Sequence, residues 1–182
     1  VFDDAAIAIG APDQAGLVLA CSSPRARAML EWETVCGEGP AWLVWQARGA
    51  AAVRDTGDPV VMRSWPAYVA GASEQGVRGA AAVPPAVGGA ALGVLAAFSS
   101  APIEVDADDL SRLGAAAARA TTVVLDACSS SEADPASSAG SLVSARLHQA
   151  AGMVAARYEL VVDDALALLR ARAFAGNVSL DV

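Results

Sequence analysis

From Gly79 to Ile103 the chain carries no charged residue, and this run limits the fold more than any other feature. A membrane-spanning helix and a buried β-hairpin both call for such a run. The helix needs about 20 uninterrupted apolar residues. Here Pro84-Pro85 and Gly88-Gly89 break the run twice, and a proline inside a helix removes an N–H and crowds the preceding turn. VRGAAAVPPAV and ALGVLAAFS, on either side of Gly88-Gly89, read instead as the two strands of a buried hairpin. A sheet-containing interior and no membrane partner are expected.

The rest of the first 128 residues alternates strand-like and helix-like segments. VFDDAAIAIG and GLVLACSS read as a hairpin around Pro12-Asp13. Pro24 to about Trp32 is a short helical or irregular stretch. Pro40 suits the first turn of a helix that Gly49 stops, and AAAVRD is a short strand. RSWPAYVAGASEQG gives a second small helix, with Ser64 as its cap and Gly76 at its end. Asp106 opens the longest helix, which runs to about Cys128. Its positions Leu110, Leu113, Ala117, Thr121, Val124 and Cys128 step in threes and fours, as a coiled-coil seam would. SSSEADPASSAG is small, polar and proline-broken, a linker over 129–140.

Composition excludes several function classes. With 55% hydrophobic residues in 182, the chain can bury a substantial core. Lysine is absent, all twelve basic residues are arginine, and the net charge of −8 argues against a general polyanion binder. The acidity is uneven: residues 1–128 hold eight arginines against fourteen acids, whereas the segment from Leu142 holds four against four. Cys21, Cys36 and Cys128 have no CxxC spacing, so neither a disulfide framework nor a zinc cluster is expected. His148 is the only histidine, which removes a two-histidine metal site and a Ser/His/Asp triad by count. Asp3-Asp4 sit where a signal peptide would be basic, and a cytoplasmic location is expected. No cofactor is read from these residues.

GEGPAWLVWQARGAAAVRD, then RSWPAYVAGASEQGVRGAAAVPPAVGGAALGVLAAFSS, resembles the GAF domain, an antiparallel-sheet sensory module. Gly-Glu-Gly-Pro entering a helix, Trp-Pro before the next, and V-G-G followed by L-G-V-L carry the resemblance. It implies an α+β sensor with helices flanking the sheet and a small-molecule effector of unknown identity. Glu38, Trp42, Trp45, Arg63, Trp65 and Tyr68 are its candidate pocket residues, since aromatic walls with a guanidinium nearby suit a flat or anionic molecule. Plainer readings stand beside these. Glu38 can be a turn glutamate held by helical N–H groups, and Trp42 and Trp45 can seal the sheet. Some GAF-like proteins reduce free methionine sulfoxide with a cysteine trio. The scatter of the three cysteines, with no basic neighbour in sequence, speaks against that, and no enzyme is implied.

The segment 141–182 is helical in pattern. Val143, Leu147, Ala150, Val154 and Tyr158 make one apolar seam. Asp163-Asp164 opens a second helix with its own stripe, Leu166, Leu169 and Ala173, and Gly176-Asn177 ends it. Ser179 caps a third helix that breaks off at Val182. Gly152, in mid-helix, is expected where the second helix approaches closely. HQAAGMVAARYEL, DDALALLRARAF and N-x-S-L-D-V resemble the ANTAR domain, a three-helix RNA-binding module found in actinobacterial-type antitermination regulators. The resemblance implies RNA hairpins as partners, with Arg146, Gln149, Arg157, Arg170 and Arg172 as contact residues. A solvated helix face would carry the same stripe. Ala151 and Val178 stand where the family has basic residues, and Val161-Val162 where it has a cap. Each departure weakens electrostatics or capping by about a kcal/mol.

The fold expected is thus α+β: a GAF-like domain over 1–128, a linker over 129–140, and an all-α ANTAR-like domain over 141–182 whose third helix is incomplete. The chain is expected to continue before Val1 and after Val182. The seams at 106–128 and 142–158 suggest a homodimer. The function expected is that of a signal-responsive regulator that promotes transcription antitermination. The alternative is a GAF-type sensor and dimerisation module whose tail binds protein, with a thiol-dependent reductase behind both.

Overall fold

The computed structural model describes residues 2–10, 17–47, 49–87, 90–130 and 139–176. Strand β1 (Asp4–Ile9) pairs with β2 (Leu17–Cys21) on one side and β7 (Gly93–Ser99) on the other. β7 pairs in turn with β4 (Gly79–Val83), and β4 with the short edge strand β3 (Ala51–Val53). The sheet order is β2-β1-β7-β4-β3, antiparallel throughout. β5 (Ala86–Val87) and β6 (Ala90–Ala91) pair near the tip of the β4–β7 hairpin. Every residue of β4 and β7 is buried. Helices cover both faces of these strands, so they lack the polar alternation of half-buried strands, and the charge-free run follows from that. Pro12-Asp13 and Gly88-Gly89 lie outside the described residues.

Period-2 alternation sends the strand side chains to two cores. On one face lie α1 (Pro24–Cys36), α2 (Pro40–Ala47) and α4 (Pro66–Glu74). There Ala6, Ala8, Ala80, Ala82 and Ala96 form a floor of small side chains, and Met29, Trp45, Tyr68 and Phe98 fill the volume above it. On the other face α5 (Ala107–Ser130) covers Ile7, Val83 and Leu95 through Leu110, Leu113, Ala117 and Ala120. Asp106 caps α5, its Oδ1 accepting from the Asp109 N–H at 2.8 Å.

Helices α6 (Ala139–Tyr158) and α7 (Val162–Gly176) pack on each other through Ala151, Val154 and Ala155 of α6 and Ala165, Leu166 and Leu169 of α7. The pair is not detached from the sheet unit: α7 packs along α1, and α6 reaches β2. Residues 131–138 of the expected linker and the expected cap at Ser179 lie outside the described residues.

Several expectations need correction. α1 continues past Trp32 to Cys36, because Ser23 caps it and the αL residue that ends it is Gly37, at φ 67°. A short helix α3 (Pro59–Ser64) precedes α4; Asp58 caps it, accepting from the Val60 N–H at 2.7 Å. Ser64 ends α3 and does not cap α4, whose N-cap residue is Trp65, with no side-chain cap bond. In α5, Leu110, Leu113 and Ala117 face the sheet, and Thr121 turns its hydroxyl onto the Ala117 carbonyl at 2.9 Å. These positions are therefore not open to a second helix; the side chains of Val124 and Cys128 lie outside the described set. In α6 the buried seam is Ala151, Val154 and Ala155, whereas Tyr158 is 63% exposed. The Val143 and Leu147 side chains are outside the described set. Gly152 faces solvent, and a Cβ built there would meet nothing within 4 Å, so the close helix contact falls on Ala151 instead. Among the described residues, no helix is long and apolar enough to cross a membrane.

Candidate functional site

The turn Gly37-Glu38-Gly39-Pro40 joins α1 to α2 and organises the site. Gly37 and Gly39 both have positive φ, at 67° and 111°, a region open to glycine and rarely to residues with a Cβ. A Cβ on Gly39 would also lie 2.7 Å from the Tyr68 ring and 2.8 Å from the Glu33 carboxyl carbon. The tight turn places two carboxylates at two helix N-termini. Glu33, in the last turn of α1, accepts from the Ala41 N–H at 2.6 Å and from the Trp42 N–H at 3.4 Å, at the start of α2. Glu38 accepts from the Ala67 N–H at 2.9 Å and the Tyr68 N–H at 3.0 Å, at the start of α4. Each carboxyl satisfies N–H groups that a helix leaves unpaired, where the helix dipole also favours negative charge.

Burial separates the two. Glu33 is fully buried, and this pushes its pKa from 4.5 up to about 8 against the opposing pull of the Ala41 and Trp42 N–H groups. Its Oε1 and the Tyr68 hydroxyl have no protein hydrogen-bond partner among the described residues. A neutral carboxyl at this position avoids most of the penalty that a carboxylate would meet. Burial, and then the charge of Glu33, raises the Tyr68 hydroxyl well above its ordinary value of 10. The Cys36 thiol is pushed up to about 12, first by burial and then by the nearby Glu33 and Glu38 carboxyls. It is therefore a thiol and a poor nucleophile at neutral pH.

A cleft of about 670 Å³ opens beside this turn. Val35 and Cys36 of α1, Glu38, and Trp42 of α2 form one side, and Pro66, Ala67 and Ala70 of α4 another. The third wall is α7, with Ala167, Arg170 and Ala171. The Arg170 guanidinium lies 5.2 Å from the centroid of the Trp42 ring, in cation–π range. Trp42 meets Trp45 edge-on at 6.4 Å, and Trp65 meets Tyr68 edge-on at 6.0 Å.

The expected pocket residues thus divide. Glu38 and Trp42 line the cleft, while Trp45 and Tyr68 are core residues packed on the sheet. Trp65 is half-buried against the same core, and Arg63 is exposed on α3 and does not line the cleft. Glu38 is a turn glutamate held by helical N–H groups, although the helix is α4 and not the α2 that follows it in sequence. Gln149, Arg157 and Arg172 are exposed, and the Arg146 side chain lies outside the described set. Arg170 departs from the expected RNA-facing stripe: its guanidinium is folded against Trp42 in the cleft. Glu33 escapes a sequence reading because nothing in the pattern of α1 sets it apart from Glu31, two residues earlier. The glycines at 37 and 39 offered the available hint, since a turn this tight leaves helix N–H groups needing an acceptor. Among the described residues, no group of three His, Cys, Asp or Glu side chains could hold a metal ion.

Neither a protein-family model nor a curated protein sequence matches the chain. Solved structures do. The GAF domain region of a Geobacter sulfurreducens PCA protein superposes with a TM-score of 0.52 at 18% identity, over 68% of this chain and 81% of that one. A type II free methionine-R-sulfoxide reductase from Thermoplasma acidophilum gives 0.48 at 15% identity, over 69% and 80%. The photoproduct state of a GAF3 domain from Synechocystis sp. PCC6803 gives 0.43 at 18%, over 66% and 85%. At these identities the likeness is one of fold: the five-stranded antiparallel sheet with its flanking helices is GAF-like.

Proposed function

We propose that the chain is a cytoplasmic, signal-responsive regulator in which the GAF-like unit over 1–128 senses and the α6–α7 tail over 141–182 delivers the output. The GAF-like fold supports the sensor half. The observation that carries the link between the halves is the docking of α7 on α1, with Arg170 over Trp42, which puts the tail in direct contact with the cleft. The tail binds RNA hairpins and so promotes transcription antitermination. Its resemblance to the ANTAR module and the exposed Gln149, Arg157 and Arg172 support this output. Two copies present two tails to paired hairpins. With Leu110, Leu113 and Ala117 on the sheet, pairing of copies falls to the later part of α5 and to α6. No catalytic step is assigned, and the raised Cys36 thiol weighs against the reductase reading.

A second reading, in which the tail binds protein, draws support from Met153, Tyr158, Val161, Val162 and Leu168, all exposed on the tail. The test is fluorescence anisotropy of a labelled two-hairpin RNA titrated with the full chain across a salt series, beside a matched duplex DNA. The RNA reading expects salt-dependent binding that Arg157→Ala/Arg172→Ala weakens and shifts to a shallower salt slope. No binding at micromolar protein would overturn it in favour of the protein-binding tail.

A further inference from the structure

The faces of α7 have different neighbours. Ala165 and Leu166 are buried against α6, while Leu168 and Arg172 are exposed. Ala167, Arg170 and Ala171 stand three and four residues apart, so they share a further face, and that face lines the cleft with residues of α1, α2 and α4. There the Arg170 guanidinium lies 5.2 Å from the centre of the Trp42 ring, with its Nε and Nη2 buried. Arg170 is one of the side chains that the resemblance of the tail assigns to RNA, and it is held inside the molecule while Gln149, Arg157 and Arg172 are exposed. The docking is shallow. Ala167 and Ala171 remain exposed beside a cleft of about 670 Å³, so the apolar area that holds this face in place is small.

We infer that this docking is an autoinhibitory contact: it withholds the face of α7 that carries Arg170, and the tail binds RNA once α7 is released from the sheet unit. The inference deepens the antitermination reading and rests on it. Two effects act together. A guanidinium must reach a phosphate or an exposed base to contact RNA, and Arg170 does neither while folded against Trp42 with two of its nitrogens buried. Docking also sets the tail against the acidic part of the chain, since residues 1–128 hold fourteen acids and eight arginines and Glu38 stands in the cleft wall itself. Phosphates within about a Debye length of that surface, roughly 8–10 Å, are repelled. Release removes both obstacles. RNA and the sheet unit thus compete for one face of α7, so the apparent RNA affinity scales with the released fraction, and RNA by reciprocity favours release. A signal that loosens α7 raises the output, and one that tightens it lowers the output.

The test is anisotropy of a labelled two-hairpin RNA across a salt series, with amide hydrogen exchange measured on the same proteins. The full chain is compared with Trp42→Leu, Trp42→Phe and the double variant Trp42→Leu/Arg170→Gln. Trp42 is half-buried and lies outside the tail, and leucine removes its ring face while keeping an apolar side chain. Trp42→Leu is expected to speed exchange in α7 and to tighten RNA binding, each by up to about tenfold, with β4 and β7 unchanged. Trp42→Phe keeps a ring face and moves both less. Adding Arg170→Gln takes back the gain in binding and makes the salt slope shallower by about one phosphate contact. In the unaltered chain, saturating RNA should speed exchange at the end of α1 and the start of α2; unchanged protection there would overturn the proposal without any variant. Weaker RNA binding in Trp42→Leu would reverse it, making the docked form the binding form. Faster exchange in α7 with RNA affinity unchanged would overturn it too, because release would then expose nothing that RNA uses. In each of these failures RNA still binds the unaltered chain. Absence of RNA binding by any of these proteins is the distinct failure that removes the RNA reading and the inhibition built on it.

Discussion

The guanidinium of Arg170, on the tail helix α7, lies 5.2 Å from the centre of the Trp42 ring, at the first turn of α2 in the sheet unit. The residues are far apart in sequence, and their contact couples the tail to the turn whose carboxyls order α2 and α4. A cation over an indole face contributes about 0.5–2 kcal/mol, more as water is excluded.

Arg170→Ala should therefore loosen the tail before it loosens the sheet. We expect amide hydrogen exchange in α7 to speed up by about a factor of ten, given a loss of roughly 1.4 kcal/mol, while exchange in β4 and β7 stays unchanged. Equal acceleration throughout would mean that the tail and sheet unfold as one unit.

Glu33 makes stability depend on pH in an unusual direction for an acid. Its folded pKa of about 8 lies above its ordinary value of 4.5, so the folded chain keeps a proton that the unfolded chain releases. Its contribution is complete below pH 4.5 and is lost as pH rises to about 8, at up to about 1.4 kcal/mol per pH unit. Urea titrations at pH 6 and 8.5 should show the unaltered chain losing stability with pH and Glu33→Gln losing much less. Parallel losses in both would exclude Glu33 as the source.

Glu33→Ala removes the acceptor for the Ala41 and Trp42 N–H groups and leaves a void in a fully buried place. A loss of about 2–4 kcal/mol is expected at pH 6, read as a fall in the urea midpoint at constant slope. Gly39→Ala should cost at least as much, because the new Cβ would meet Tyr68 and Glu33 from a backbone at φ 111°.

Cys36, with its thiol near 12, should resist alkylation. After iodoacetamide at pH 8, peptide mass spectrometry of the native chain should find Cys36 unmodified, and find it modified once the chain is unfolded in urea. Fast native labelling would reopen the reductase reading.

The central hairpin was legible because its strands leave local marks: an uncharged run and a double glycine between two apolar segments. Loop-to-helix boundaries were harder. Asp58-Pro59 carried a helix-start signal that only the structure turns into α3, since six residues give no periodicity to read. The seam of α5 shows why pattern alone misleads. Leu110, Leu113 and Ala117 step as a coiled coil requires, yet a helix lying on a sheet needs the same stripe. Of the expected pocket residues, Glu38 and Trp42, at and just after the glycine turn, are the two that line the cleft. The α7 wall was not legible, because no local pattern tells where a helix more than a hundred residues away will dock.

The α5 helix is 24 residues long, about 36 Å from end to end. Its first half is fastened to β4 and β7 through Leu110, Leu113 and Ala117, whereas Thr122 and Val123 beyond are already exposed. It is thus a lever with its fulcrum on the central strands. Tilting it by one degree about Ala117 moves its far end, about 20 Å away, by roughly 0.3 Å. Small changes in the twist of β4 and β7 are thereby magnified at Ser130, the last residue of α5 before the chain runs on to α6.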